Sequence, residues 1–212
     1  MKKLIAFDMD GTLVKGGTWV KVHKHYKTLP IGDKNLLYYN SGLIDYKEFM
    51  RRDIASWIES RGKIHISEIE NILSNFEIMP NAEFTIRELR KKGFITAVVS
   101  SGIDILAKKV SKRLNIDHVI ANGLAIDNNG YLTGEGIFGV DPYKKNLALE
   151  DLSNKLQIDM ENTIAVGDSI YDKNFLKCAG LGIAYNPDEE LKKIADIVIY
   201  DLKEVLDWIY SI

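Results

Sequence analysis

The chain has little of what would tie it to several large classes of protein. It holds one cysteine, Cys178. That excludes an internal disulfide and a thiolate cluster around a metal, and points to a reducing, cytoplasmic setting. Its 28 basic residues are outnumbered by 30 acidic ones and lie scattered, which argues against a nucleic-acid surface. No apolar run approaches the ~18 residues needed to cross a bilayer, so no membrane span is expected. The opening MKKLIAFDMD meets an acid after the short run Leu4-Ile5-Ala6-Phe7 and reads as a mature strand, not a signal. His23, His25, His65 and His118 lack the spacing of metal ligands and read as ordinary surface or partly buried histidines. Internal repeats and low-complexity tracts are missing as well.

What remains is a chain of 212 residues, long enough for one good core and a smaller module. Short apolar runs at 3–7, 94–99, 117–121, 163–166, 181–185 and 196–199 read as strands. Helical patterns fall between them, at about 82–92, 103–114, 145–157, 171–179, 188–194 and 202–210. Gly93 stops the first of these helices. Such alternation implies a parallel sheet covered on both faces and joined by right-handed crossovers. Residues 15–79 interrupt it. Tyr46, Phe49, Met50, Ile54, Trp57 and Ile58 keep helical spacing, Ser67 with Glu70 reads as a capping box, and no strand is evident. The expected organisation is therefore α/β, a doubly wound parallel sheet built from 1–14 and 80–212, with a small helical domain, 15–79, inserted after the first strand. Asn128-Asn129-Gly130, between short apolar stretches, suggests a hairpin beside the main sheet.

Sheets of this kind bind ligands beyond the carboxyl ends of their strands. Asp8 and Asp10 stand at the first such end, two positions apart and so on one face. Two carboxylates held that close repel, and one takes up a proton unless a cation compensates. An Asx bend at Asp10-Gly11 would also explain the pair taken alone. At the next strand end, Ser100, Ser101 and Gly102 precede a helix, where free amides and the helix dipole favour an anion, although a plain serine cap has the same pattern. After the strand 163–166 come Asp168 and, four residues on, Asp172. Lys144 and Lys145 open the preceding helix. Positions 145, 149, 152 and 156 read Lys, Leu, Leu, Leu, a buried stripe, whereas 144, 148, 151 and 155 read Lys, Ala, Asp, Lys. Lys145 is the lysine aimed at the sheet. Together these residues leave an excess of negative charge that Mg²⁺ would offset, using carboxylates and phosphate oxygens as ligands.

These stretches resemble the haloacid dehalogenase (HAD) superfamily of phosphohydrolases. Its D-x-D-G-T motif matches Asp8-Met9-Asp10-Gly11-Thr12, its second motif Ser100, its lysine Lys145, and its acidic fourth motif Gly167-Asp168 with Asp172. Within it, AVVSSGIDILAKKVSKRL and the helical insert look most like the phosphoserine phosphatase-type branch, except that Tyr171 stands where that branch usually has Asn. The resemblance implies a Rossmann-like core with a cap, and a Mg²⁺-dependent phosphatase in which Asp8 is phosphorylated and Asp10 serves as acid and base. Ser100 and Lys145 would complete the catalytic set, with Ser101 and Gly102 helping to hold phosphate. Asp8, the Asp10 carbonyl and Asp168 would hold the metal, and Asp172 would orient metal-bound water. A phosphotransferase or mutase would share this chemistry. A receiver-type signalling module is the more distant alternative, since its phosphorylated Asp follows a later strand. The implied partner is a small phosphate monoester, with no nucleic acid or membrane, for a monomer or homodimer.

The branch's selectivity residues are not matched. Phosphoserine phosphatases carry a Glu nine residues after the nucleophile, where this chain has Gly17, and a cap Arg seven residues after an aromatic, where counting from Tyr46 reaches Asp53. Arg52 is adjacent but about 100° away around a helix. Phosphoserine is therefore expected to be a poor substrate, with another small monoester preferred.

Overall fold

The computed structural model describes residues 2–210. The chain opens with β1 (Lys3–Phe7) and then leaves the sheet for four helices, α1 (Thr18–Tyr26), α2 (Leu29–Asn40), α3 (Tyr46–Arg61) and α4 (Ile66–Ile72). It returns through α5 (Ala82–Lys91), β2 (Phe94–Ile103), α6 (Asp104–Leu114), β3 (His118–Ile126), β4 (Leu132–Ile137) and α7 (Lys145–Leu156). The last part comprises β5 (Thr163–Gly167), α8 (Lys173–Cys178), β6 (Leu181–Tyr185), α9 (Glu189–Lys192), β7 (Ile197–Ile199) and α10 (Val205–Trp208). No helix among the described residues is long and apolar enough to cross a membrane.

The seven strands order as β4-β3-β2-β1-β5-β6-β7, parallel except for the β3–β4 pair. β1 is central because both its faces are apolar. Ile5 and Phe7 pack with Val98, Ile164 and Val166 on one side, and Leu4 and Ala6 with Ala97, Val99 and Ala165 on the other. Each large side chain so buried contributes about 1.5–3 kcal/mol. Phe7 lies opposite Val98 of β2 and Val166 of β5. Strand order reverses across β1, so the segments following β1, β2 and β5 emerge side by side at the crevice where such sheets bind ligands.

Three local expectations need correction. β2 runs on to Ile103, with a register shift between Val99 and Ile103, so Ser100-Ser101-Gly102 end a strand and α6 begins at Asp104. β3 continues to Ile126, and the one strand serves the parallel sheet at its start and the hairpin at its end. α4 starts at Ile66, capped by the His65 ring accepting the Ser67 amide, so Ser67 and Glu70 form no capping box.

The helical insert has a polar heart. His23, only 2% exposed, is buried where a surface or partly buried ring was expected. Its Nδ1 accepts the Trp57 indole N–H at 3.1 Å, which leaves the ring proton on Nε2, 2.9 Å from Asp53 Oδ2. The other Asp53 oxygen accepts the Asn35 amide at 2.7 Å.

Candidate active site

Asp8 follows β1 and is fixed by its own backbone, whose N–H donates to Val166 O at 2.8 Å. Its side chain is buried beneath Lys145, whose ammonium donates to Asp8 Oδ1 at 2.7 Å and to Asp172 Oδ1 at 2.6 Å. Lys145 is 3% exposed and Lys144 is exposed, the phase that the leucine stripe of α7 requires. Asp172 folds back so that its Oδ2 accepts the amides of Asp168 and Ser169, at 3.1 and 3.2 Å. This arrangement needs Gly167, since a Cβ there would stand 2.4 Å from the Asp172 carboxyl carbon. Ligand oxygens of Asp8, Asp168 and Asp172 lie within 4.8 Å of one another.

Gly11 turns the chain after Asp10 with φ +94°, and a Cβ there would fall 2.3 Å from Asp168 Oδ2. That turn brings the Thr12 hydroxyl to Asp168 Oδ1 at 2.9 Å. Asp10 reaches toward the insert, and its Oδ2 accepts both the amide and the hydroxyl of Thr18 at 2.8 Å. Its Oδ1 is shut off from solvent without a hydrogen-bond partner. Gly102 presses against the same group, for a Cβ there would meet Asp10 Oδ2 at 2.9 Å.

The expected cradle of free amides at 100–102 is partly engaged. Gly102 N donates to Ser100 Oγ at 3.0 Å and Ile103 N to Thr18 Oγ1 at 3.1 Å. Ser101 turns its carbonyl to the insert and to β3, accepting from Trp19 Nε1, the Tyr46 hydroxyl and Asn122 Nδ2. Thr12, Thr18, Trp19 and Tyr46 had no role assigned from sequence. Thr12 was visible as the last letter of D-x-D-G-T and Tyr46 through its helical spacing; Thr18 and Trp19 carry no local signal.

The electrostatics follow from burial. Loss of water pushes Asp8 well above the usual carboxylate range; Lys145 pulls it down, and the charges of Asp172 and Asp168 push it up again. Burial likewise raises Asp10 to about 6 against the Thr18 hydrogen bonds. Asp168 also rises to about 6, by burial and then by Asp172. Burial would strip the Lys145 proton, but Asp172 and Asp8 hold it and raise the group. An ionised Asp8 therefore needs more positive charge than Lys145 supplies, as the expected repulsion between neighbouring carboxylates requires. Three clustered carboxylates, one ammonium and, nearby, an unpartnered Asp10 oxygen suit a hard, oxygen-seeking divalent cation.

A family model described as haloacid dehalogenase-like hydrolase matches residues 5–177. The phosphoserine phosphatase of Methanocaldococcus jannaschii is 32% identical over 212 residues, covering 98% of this chain and 98% of that protein. The phosphoserine phosphatase SerB2 of Mycobacterium tuberculosis is 34% identical over 200 residues, 92% of this chain and 47% of its own length. A solved structure described as a phospho-aspartyl intermediate analogue of phosphoserine phosphatase matches with a TM-score of 0.82 at 32% identity, covering 98% of this chain and 99% of the other.

Proposed function

The chain belongs to the haloacid dehalogenase-like hydrolase family, and on that footing we propose that it hydrolyses a small phosphate monoester in two steps through a phosphoryl group carried on Asp8. The observation that carries this reading is the Lys145 ammonium bridging Asp8 and Asp172 beside Asp168. Insert residues 15–79 act as a cap over that centre, and Thr18 and Tyr46 reach from it to Asp10 and Ser101.

In the first step an Asp8 carboxylate oxygen attacks phosphorus and the ester P–O bond breaks. The electron pair leaves on the alcohol oxygen, which takes a proton from Asp10. In the second, water attacks the phosphoryl group and gives its proton to Asp10, and the bond to Asp8 breaks with return of its electron pair to the carboxylate. A carboxyl raised to about 6 by burial suits this two-way proton traffic near neutrality. Ser100 and Lys145 hold the phosphoryl oxygens as charge develops there, and the Ser101–Gly102 backbone joins them once the Gly102 amide leaves Ser100 Oγ. Asp8, the Asp10 carbonyl and Asp168 would hold Mg²⁺, with Asp172 steadying its surroundings from the second rank. Bound there, the ion supplies positive charge that keeps Asp8 ionised and draws electron density from the phosphoryl oxygens.

The leaving group is proposed to be something other than serine. Gly17 offers no side chain, and a Cβ there would stand 4.0 Å from Asp10 Oδ2, so no acid meets an ammonium at that point. Asp53 is held inside the cap by Asn35 and His23. Arg52 bonds Glu48 at 2.7 Å and lies over the Tyr38 ring. At these three positions neither half of a zwitterion has a free partner, which in a closed site costs orders of magnitude in selectivity. Similarity to phosphoserine phosphatases across the whole chain favours the second reading, phosphoserine itself. Comparing kcat/KM for phosphoserine, sugar phosphates, nucleotides and an aryl phosphate in Mg²⁺ decides between them. We expect the aryl phosphate to be cleaved and phosphoserine to rank low. A wide lead for phosphoserine overturns the substrate assignment, and no hydrolysis of any ester overturns the reaction.

A further inference from the structure

Besides the bonds of Thr18, Trp19 and Tyr46 at the site itself, the cap meets the rest of the chain along two unlike flanks. Against the β3–β4 hairpin it is joined through main chain. Ile66 N donates to Gly130 O and Leu132 N to Ile64 O, both at 2.9 Å, and Met50 lies so close to Gly136 that a Cβ there would meet it at 3.0 Å. Opening that side means breaking backbone bonds and a packed contact.

The other flank, at the C-terminal end of α2, is joined by side chains. Tyr39 donates to Asp141 Oδ1 at 2.6 Å. The Asn40 amide meets the Tyr171 hydroxyl through Nδ2 at 2.9 Å and Oδ1 at 3.1 Å, and its Oδ1 accepts from the Tyr143 hydroxyl at 3.3 Å. The rings of Tyr143 and Tyr171 lie 5.0 Å apart, and Tyr39 stacks on Tyr143 at 5.7 Å. Tyr171 is the residue that departs from the fourth motif, and it reaches across to the cap. Its core-side footing is rigid. Tyr143 lies two residues before Lys145 and Tyr171 one before Asp172, and those two groups are clamped together at 2.6 Å. Asn174 Nδ2 ties the same segments by donating to Tyr143 O at 2.8 Å.

We propose that Asn40, Tyr143 and Tyr171 form a polar latch that holds the free flank of the cap shut over the catalytic aspartates, making them positioning residues for the reaction and this flank the route of substrate entry. The proposal rests on the phosphatase reading of the site beneath. Polar, half-exposed and few, these bonds are weak enough to break at every turnover, whereas the hairpin flank stays in place as the pivot.

Loss of the latch lowers the closed population without touching a reacting atom, so apparent affinity falls while saturated turnover persists. Asn40→Ala and Tyr171→Phe are each expected to raise KM for an aryl phosphate by about two- to tenfold, the size of one such hydrogen bond, with kcat unchanged. The double variant should do no worse than the poorer single one, because both remove the same bond. Asn40→Asp, which keeps an acceptor for both hydroxyls, should restore KM toward the wild-type value. Binding of orthovanadate with Mg²⁺, followed by calorimetry, should weaken in parallel and reports without turnover. If wild type hydrolyses and binds while the single variants match it in both, or if their effects multiply in the double, the latch is wrong and the phosphatase stands. If wild type does neither, the phosphatase reading fails and the latch with it.

Discussion

Two of the polar clusters buried among the described residues hold carboxylates in unlike numbers. In the cap, one carboxylate, Asp53, accepts the Asn35 amide and lies 2.9 Å from the imidazole Nε2 without a hydrogen bond to it, and the ring's other nitrogen accepts from Trp57. At the sheet edge, the carboxylates of Asp8, Asp168 and Asp172 crowd around one ammonium, and Asp10 is near enough to add its charge to theirs. The first arrangement holds helices together. The second stores an electrostatic demand that something from outside the chain can meet, and so one buried carboxylate does not mark a functional site; a crowd of them around a single ammonium does.

Breaking each cluster should have opposite consequences. Asp8→Asn should lower turnover by about 10⁴–10⁶, as for loss of a covalent nucleophile. It also removes a repelling charge, so the unfolding midpoint measured in EDTA should hold or rise. His23→Ala should do the reverse, costing about 3–5 kcal/mol in urea unfolding because it strands a buried carboxylate, with kcat per folded molecule retained. A destabilised Asp8→Asn or an inactive, fully stable His23→Ala would undo the contrast.

The two lysines sharpen it further. Lys145→Ala should cut kcat/KM by about 10²–10³, the scale of losing one preorganised charge from a transition state, whereas the exposed Lys144→Ala should stay within about twofold. Equal effects would contradict the buried phase of α7.

The smallest effect concerns protons competing with metal. Asp10 and Asp168 sit near 6 in the folded chain against an ordinary value of 3.8, and Asp8 is shifted the same way. A folded acid raised in this manner binds extra protons, so its contribution to stability is complete below about pH 4 and is lost as pH rises through about 6. Mg²⁺ should therefore raise the melting temperature more at about pH 7.5 than at about pH 5.5. Asp8→Asn should shrink that difference. A Mg²⁺ effect that is the same at both values would contradict the charge imbalance.

The gathering of acids and lysine at the sheet edge was legible in the sequence because its signals are local. Asp8 and Asp10 sit two apart at a strand end, and Lys145 leads a leucine stripe. Asp168 and Asp172 likewise open the segment after a buried strand. Parallel topology then gathers these ends without further instruction. The cap cluster was not legible, for His23 and Asp53 are thirty positions apart on different helices, and nothing near either residue names the other. Asn40 and Tyr171 are separated by 131 positions. Tyr171 could be seen as a departure, but its partner could not. The amides of Gly102 and Ile103 looked free because Thr18, which takes one of them, arrives from the insert.

The most direct test of the central claim is an acid-quenched single turnover with an aryl phosphate and Mg²⁺, followed by mass analysis of the peptide that carries residues 6–13. The account predicts the mass of one phosphoryl group on Asp8 early in the turnover, gone at its end and never formed by Asp8→Asn. Full turnover with that peptide unmodified throughout, or with the phosphoryl group on another residue, would contradict it.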